Sequence, residues 1–255
     1  MRPSSGRDNL IVVEAIGSTQ KLASRFVREY TGEGRQVPEA IVIAYQQTAG
    51  RGRHGRSWSS PAGAGVFVTL LRRFPADREV RNLPLLMAVS LAEAIEVYLG
   101  DGDSCQLKWP NDLLIRKRKV GGILIDIKSR SGEAAVGLLG FGINHSHRTE
   151  ELPAKPSISL ADCAPSLPSL AELTDRVLST TTHHLTRLED QDWLIDHYRR
   201  KSVHALGDRL TCKIGERYID GEFIGFDRQG SLRLKTEQGE ECVTTGEIFQ
   251  GAGDL

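Results

Sequence analysis

The chain has 255 residues, with 33 Lys+Arg against 33 Asp+Glu, a formal net charge of zero and 39% hydrophobic residues. This balance fits a globular domain with room for a small companion, and it excludes disorder driven by excess charge. Zero net charge also counts against a protein held mainly by nucleic-acid phosphates, and no apolar run reaches the ~18–20 residues of a membrane span. The N-terminus is polar and lacks an apolar stretch of signal-peptide length, so a cytoplasmic protein is expected. Cys105, Cys163, Cys212 and Cys242 stand far apart with no Cys-x-x-Cys pair. They read as reduced thiols, neither a zinc site nor a disulfide framework.

In chain order, Ser18 and Thr19 suit a helix N-cap, and Leu22, Phe26 and Tyr30 follow as one apolar stripe. Residues 41–44 read as a buried strand, residues 50–65 as a Gly/Arg-rich loop, and residues 66–71 as a β-branched and aromatic strand. Residues 83–99 form a helix that is apolar nearly all round, which places it in the core. Short strands follow at 106–109, 113–115, 122–127 and 134–143. So many strands with few helical breaks favour an α+β fold with a mixed or antiparallel sheet. A proline-rich stretch from Pro153 reads as loop, and the capping box Ser169-x-x-Glu172 opens one long amphipathic helix to Tyr198, with Trp193 on its core side. His183 and His184 on that helix lack partners at metal-ligand spacing. Beyond Gly207, short strands at 210–214, 222–226, 231–235 and 242–245 alternate with Gly-containing turns, the pattern of a small barrel.

The chemistry concentrates in three segments. Gly50-Arg51-Gly52-Arg53-His54-Gly55-Arg56-Ser57 spells a dinucleotide fingerprint in one frame and nearly a P-loop in another. Both motifs need a helix immediately afterwards, because its N-terminal N–H groups hold the phosphate. The residues that follow, Trp58 to Gly65, cannot start a good helix, so neither motif applies. What remains is three arginines on a pliable loop, suited to a polyanion and to closing over a hydrolysable intermediate. By itself the loop fits a solvated basic surface or an Arg/Gly nucleic-acid contact equally well. The second segment is Lys108-Trp109-Pro110-Asn111-Asp112, followed by Lys119-Val120-Gly121-Gly122-Ile123-Leu124, where a turn and a Gly-Gly strand let a ligand approach the backbone. The third is Gly140-Phe141-Gly142-Ile143-Asn144, whose glycines interrupt an apolar strand.

Together with Gly17-Ser18-Thr19 and Gln47-Thr48-Ala49, these segments resemble the biotin–protein ligases, also called biotin–[acetyl-CoA-carboxylase] ligases, in order and spacing over nearly the whole chain. The resemblance implies an α+β catalytic domain at about 1–205, similar to that of class II aminoacyl-tRNA synthetases, and an SH3-like barrel at about 206–255. It also implies an ATP-dependent, AMP-forming ligase. Such an enzyme joins biotin to ATP as biotinyl-5′-AMP and passes biotin to a lysine of a biotin carboxyl carrier protein domain.

Arg51, Arg53 and Lys119 are the implied catalytic cations, because a carboxylate must meet an α-phosphate. Ser18, Thr19, Gln20, Gln47, Gly52, Gly122, Gly140 and Gly142 are the implied biotin contacts, shared with the three cations. Arg53, Arg56, Trp58, Asn111, Lys119 and Asn144 are the implied nucleotide contacts, and Asp112 is a candidate magnesium ligand. Gln20 departs from the family's usual Asn, with a longer reach for the same amide. Only seventeen residues precede Ser18, so a ligase without a DNA-binding repressor domain is expected. Copies of family members associate through sheet edges, so a homodimer belongs to what the resemblance implies. A lipoate or octanoate ligase of the same architecture and an Arg/Gly-loop nucleic-acid module are the alternatives.

Overall fold

The computed structural model describes residues 9–58, 61–75, 80–131, 134–147 and 156–249; the proline-rich stretch expected from Pro153 lies largely outside them. Its elements are β1 (Asn9–Ile16), α1 (Thr19–Gly32), β2 (Ala40–Gln47), β3 (Gly50–Arg51), β4 (Ser57–Trp58), β5 (Gly65–Pro75) and α2 (Leu83–Glu96). Next come β6 (Gln106–Lys108), β7 (Asp112–Ile115), β8 (Arg118–Ser131), β9 (Ala134–Asn144), α3 (Leu170–Leu185) and α4 (Gln191–Lys201). The chain closes with β10 (Arg209–Ile214), β11 (Arg217–Phe226), β12 (Leu232–Thr236), β13 (Gly239–Val243) and β14 (Glu247–Phe249). The architecture is α+β. Two compact units form, one from Met1–Arg78 with Val120–Leu170, the other from Glu79–Lys119 with Ala171–Leu255.

In the first unit the strands run in the order β1-β2-β5-β9-β8. β1 is parallel to β2, and the other neighbours are antiparallel. A parallel pair needs a crossover, and α1 supplies it. Ser18 caps α1, its Oγ accepting from the Lys21 N–H at 3.4 Å. The helix then lays Ala23 and Val27 on Val42, Leu71, Val136 and Leu138. The first eight residues of β5 are all buried, so the central strand reads as a continuous apolar run rather than an alternating one. β1 has no counterpart among the elements expected from the sequence. It lies at the sheet edge with Leu10 and Val12 exposed, and its four apolar residues in a row carry no alternation to announce a strand.

In the second unit α2 is buried along most of its length, as its composition requires. β6 and β7 form a short hairpin in which Lys108 faces Asp112. The C-terminal strands make a five-stranded antiparallel sheet, ordered β13-β12-β11-β10-β14. Tyr198, Phe223 and Phe226 stack edge to face beneath it, with ring centroids 5.0–5.2 Å apart.

The single helix expected from 169 to 198 is two helices. α3 ends at Leu185 and a run of turns follows. Asp190 then caps α4 by accepting from the Trp193 N–H at 3.2 Å, while Arg187 pairs with the same carboxylate at 2.8 Å. An aspartate that satisfies a free N–H favours a new start over helix continuation. Trp193 is also corrected. It is only half-buried, stacked between His184 and His197 with the Arg187 guanidinium over its ring, and Leu194 and Tyr198 fill the core positions instead.

Candidate active site

The first unit gathers most of the residues singled out in the sequence. β8 and β9 pair so that Gly122 faces Gly142 and Leu124 faces Gly140, while β5 sets Thr69 opposite Gly140 and Phe67 opposite Gly142. Gly122, Gly140 and Gly142 form a buried strip of the sheet, and neighbouring side chains lie over Gly140 and Gly142. Gln20 closes one end of this strip and Trp58 the other.

At the Gln20 end the amide is almost wholly buried. Its Nε2 donates to Leu138 O at 3.3 Å, Leu124 O at 3.4 Å and Asp126 Oδ2 at 3.4 Å. Its Oε1 accepts from the Thr69 hydroxyl at 3.1 Å, which is shared with Thr19 Oγ1 at 3.0 Å. Thr19 in turn donates to Gln47 Oε1 from its backbone N–H at 2.8 Å and from its hydroxyl at 3.2 Å. The longer side chain of Gln20 fits because Gly140 has none. A Cβ there would lie 2.5 Å from Gln20 Oε1 and 3.0 Å from Leu124 O. Gln47 bridges Thr19 to the start of the loop, and its Nε2 faces Gly50.

At the other end β3 and β4 pair through Gly50 with Trp58 and Arg51 with Ser57. The intervening turn closes on itself, with Gly52 N–H donating to Arg56 O at 2.7 Å and Arg56 N–H to Arg53 O at 3.1 Å. His54 takes a left-handed conformation with φ 53°. Arg51 and Arg56 are exposed and Arg53 is half-buried. The Trp58 indole lies over Gly142, where a Cβ would meet its ring atoms at 3.1–3.2 Å. Asn144 is buried, its amide donating to Ile158 O at 3.1 Å.

Asn111, Asp112 and Lys119 lie in the second unit. Asn111 is half-buried in the turn between β6 and β7. The Lys119 ammonium donates to Asp112 Oδ1 at 2.5 Å. Burial, and then the Asp112 charge, raise the Tyr198 phenol well above its ordinary value. Asp112 is thus engaged by Lys119, and no three His, Cys, Asp or Glu side chains come together among the described residues. His183 and His184 likewise form no metal cluster; His184 is buried, with Ser90 Oγ at 2.9 Å and Glu93 at 3.3 Å.

Two residues of this arrangement were not anticipated. Thr69 carries the hydrogen bonds between Thr19 and Gln20, and Asp126 receives the Gln20 amide. The signal for Thr69 was present: it is a lone hydroxyl in an apolar strand, and a fully buried hydroxyl needs a partner.

Residues 13–144 match the family described as the biotin/lipoate A/B protein ligase family. The chain is 31% identical to the bifunctional ligase/repressor BirA of Bacillus subtilis, over 95% of this chain and 74% of the relative. It is 28% identical to the biotin–[acetyl-CoA-carboxylase] ligase of Mycobacterium tuberculosis, over 96% of this chain and 90% of the relative. Among solved structures, the biotin protein ligase from Aquifex aeolicus in complex with biotin and ATP superposes with a TM-score of 0.77. Its identity is 26%, and the match covers 95% of this chain and 98% of that one. The mixed sheet with its helices and the C-terminal antiparallel sheet are therefore the fold of the biotin protein ligases. The chain belongs to the biotin/lipoate A/B protein ligase family.

Proposed function

We propose that this protein is a biotin–protein ligase that condenses biotin with ATP to biotinyl-5′-AMP and pyrophosphate, then transfers biotin to a lysine of a biotin carboxyl carrier protein domain. The observation that carries this reading is the buried strip of Gly122, Gly140 and Gly142, with an amide and hydroxyl network over one end and Trp58 of the arginine loop over the other. With Trp58 moved off Gly142, the glycines let a flat bicyclic head group lie close to the backbone, and the preset network beside it orients the head. Ser18, Thr19, Gln20 and Gln47 make up the polar end of the biotin site, with Gly52 in the loop above.

The reaction brings a carboxylate against the α-phosphate, so cations must offset the repulsion and the growing charge on the phosphate. Arg51, Arg53 and Lys119 take this role, and Asp112 orients Lys119 through its ion pair. Arg56, Trp58, Asn111 and Asn144 form the nucleotide side, with Trp58 offering its indole face to the adenine. No covalent enzyme intermediate is required. Magnesium enters this reading only as the counter-ion that accompanies ATP. Attack by the acceptor lysine on the mixed anhydride releases AMP and leaves an amide. The catalytic and C-terminal parts divide near residue 205 in this proposal, and cytoplasmic work on a carboxylase subunit follows from it.

The test is incubation with biotin, Mg-ATP and a carrier domain, followed by intact-mass measurement of the carrier. One added biotinyl group per carrier supports the reading. Pyrophosphate exchange driven by lipoate or octanoate in preference to biotin would replace it with the related acyl ligase.

A further inference from the structure

Arg51 faces more than the loop. It lines a groove of about 490 Å³ together with Lys21, Ser24, Val27 and Arg28 of α1 and Lys128 of β8. At 100° per residue, Lys21, Ser24 and Arg28 fall on one stripe of the helix, and Thr31 extends that stripe to roughly 15 Å. Val27 forms a buried floor, and no lining side chain is acidic.

The charges in this groove are treated differently from those beside it. Among the described residues, no carboxylate pairs with Lys21, Arg28 or Arg51, and only Lys128 has one, Asp126 at 3.0 Å. On the adjacent face of the same helix Arg25 is paired with Glu29 at 2.6 Å, and just past the helix end Arg35 is paired with Glu33 at 2.9 Å. In a chain whose charges cancel 33 to 33, three uncompensated cations side by side repel one another until an anionic partner arrives.

A single phosphate would engage one or two of these cations, whereas their spacing along a helix suits an extended acidic surface. Arg51 belongs both to the groove and to the reacting loop, so a partner seated in the groove lies against that loop. An acceptor lysine is itself a cation and is repelled by Arg51 and Arg53, and acidic residues around it would offset that repulsion. We propose that the groove between α1 and Lys128 docks an acidic face of the carrier domain that presents the acceptor lysine. This rests on the ligase reading above.

The test is the double variant Lys21→Glu with Arg28→Glu, measured in two assays. Biotin-dependent pyrophosphate exchange without carrier reports the first half-reaction, and steady-state transfer to a biotin carboxyl carrier domain reports docking. Pyrophosphate exchange is expected to stay within about twofold of the wild type, while the KM for the carrier rises about tenfold at low salt and the gap narrows at about 0.5 M salt. An unchanged carrier KM and salt dependence would overturn the proposal. So would an equal loss in both assays, which would assign the groove to the nucleotide. If the double variant does not fold, Arg28→Gln is read in the same two assays by the same criteria, with a smaller expected rise in KM. A wild-type protein without biotin-dependent exchange overturns the ligase reading itself, and that outcome is visible before any carrier is added.

Discussion

The two ends of the glycine strip differ in how they spend their polar groups. At the Gln20 end, Thr19, Gln20 and Thr69 are buried and hydrogen-bonded to one another or to strand carbonyls, so the geometry is set by the folded core. At the Arg51 end Arg51 and Arg56 are exposed and Arg53 is half-buried, on a turn whose backbone closes on itself. A group that must recognise a neutral head gains from being fixed in advance, because little ordering cost remains on binding. Groups that answer a charge developing during reaction can stay solvated until the ligand arrives. Substitutions at the first end should therefore lower stability and binding together, and substitutions at the second should lower reaction rate alone.

The largest expected effect tests the second half of that contrast. Arg51→Ala should cut biotinyl-adenylate formation by about 10²–10³-fold while changing unfolding free energy by less than ~0.5 kcal/mol. A variant that lost stability in step with activity would erase the distinction.

Next comes a pH effect outside both ends. His204 is buried, with no hydrogen-bond partner at either ring nitrogen among the described residues, and burial pushes its pKa down to about 4. The unfolded chain therefore binds this proton more readily than the folded one. Stability should be full above about pH 6.5 and fall as pH drops toward 4, by on the order of 3 kcal/mol. Urea unfolding across that range measures it, and His204→Leu should flatten the slope. A loss of the same size in His204→Leu would assign the slope to other groups and return attention to the Gln20 network.

Smaller effects probe the fixed end. Gly140→Ala places a methyl 2.5 Å from Gln20 Oε1, so it should cost about 1–3 kcal/mol and raise the KM for biotin. Thr69→Val removes the shared hydroxyl and should cost about 1–2 kcal/mol with a similar rise in KM. Normal stability in either variant would show that this end is less preset than its hydrogen bonds indicate. The smallest change is a control away from both ends. Lys117 holds φ 59° in the turn between β7 and β8, so Lys117→Gly should stabilise by up to about 1 kcal/mol in thermal unfolding without altering activity.

Much of this was legible in the order of residues. The cap at Ser18, the all-apolar α2 and the buried β2 and β5 follow from side-chain type and period alone, because those signals report burial locally. β1 escaped because its partner β2 lies thirty residues on and its own pattern does not alternate. The break before α4 escaped because the apolar stripe continues across it, and only the Asp190 cap shows that the helix restarts. Lys119 and Asp112 stand out in the sequence as separate residues, and only the fold shows that they form an ion pair.

By itself, the sequence determined which residue types were present for the chemistry: three arginines on a glycine loop, a lysine before a Gly-Gly strand, and glycines spaced two apart in an apolar run. Only the tertiary structure decided what each of them touches. Gln20 reaches Leu138 across 118 positions, and Gly140 makes room for it because β5, β8 and β9 align in one register. Periodicity reports whether a side chain is buried, but the partner comes from strand register, which is set by packing over the whole sheet.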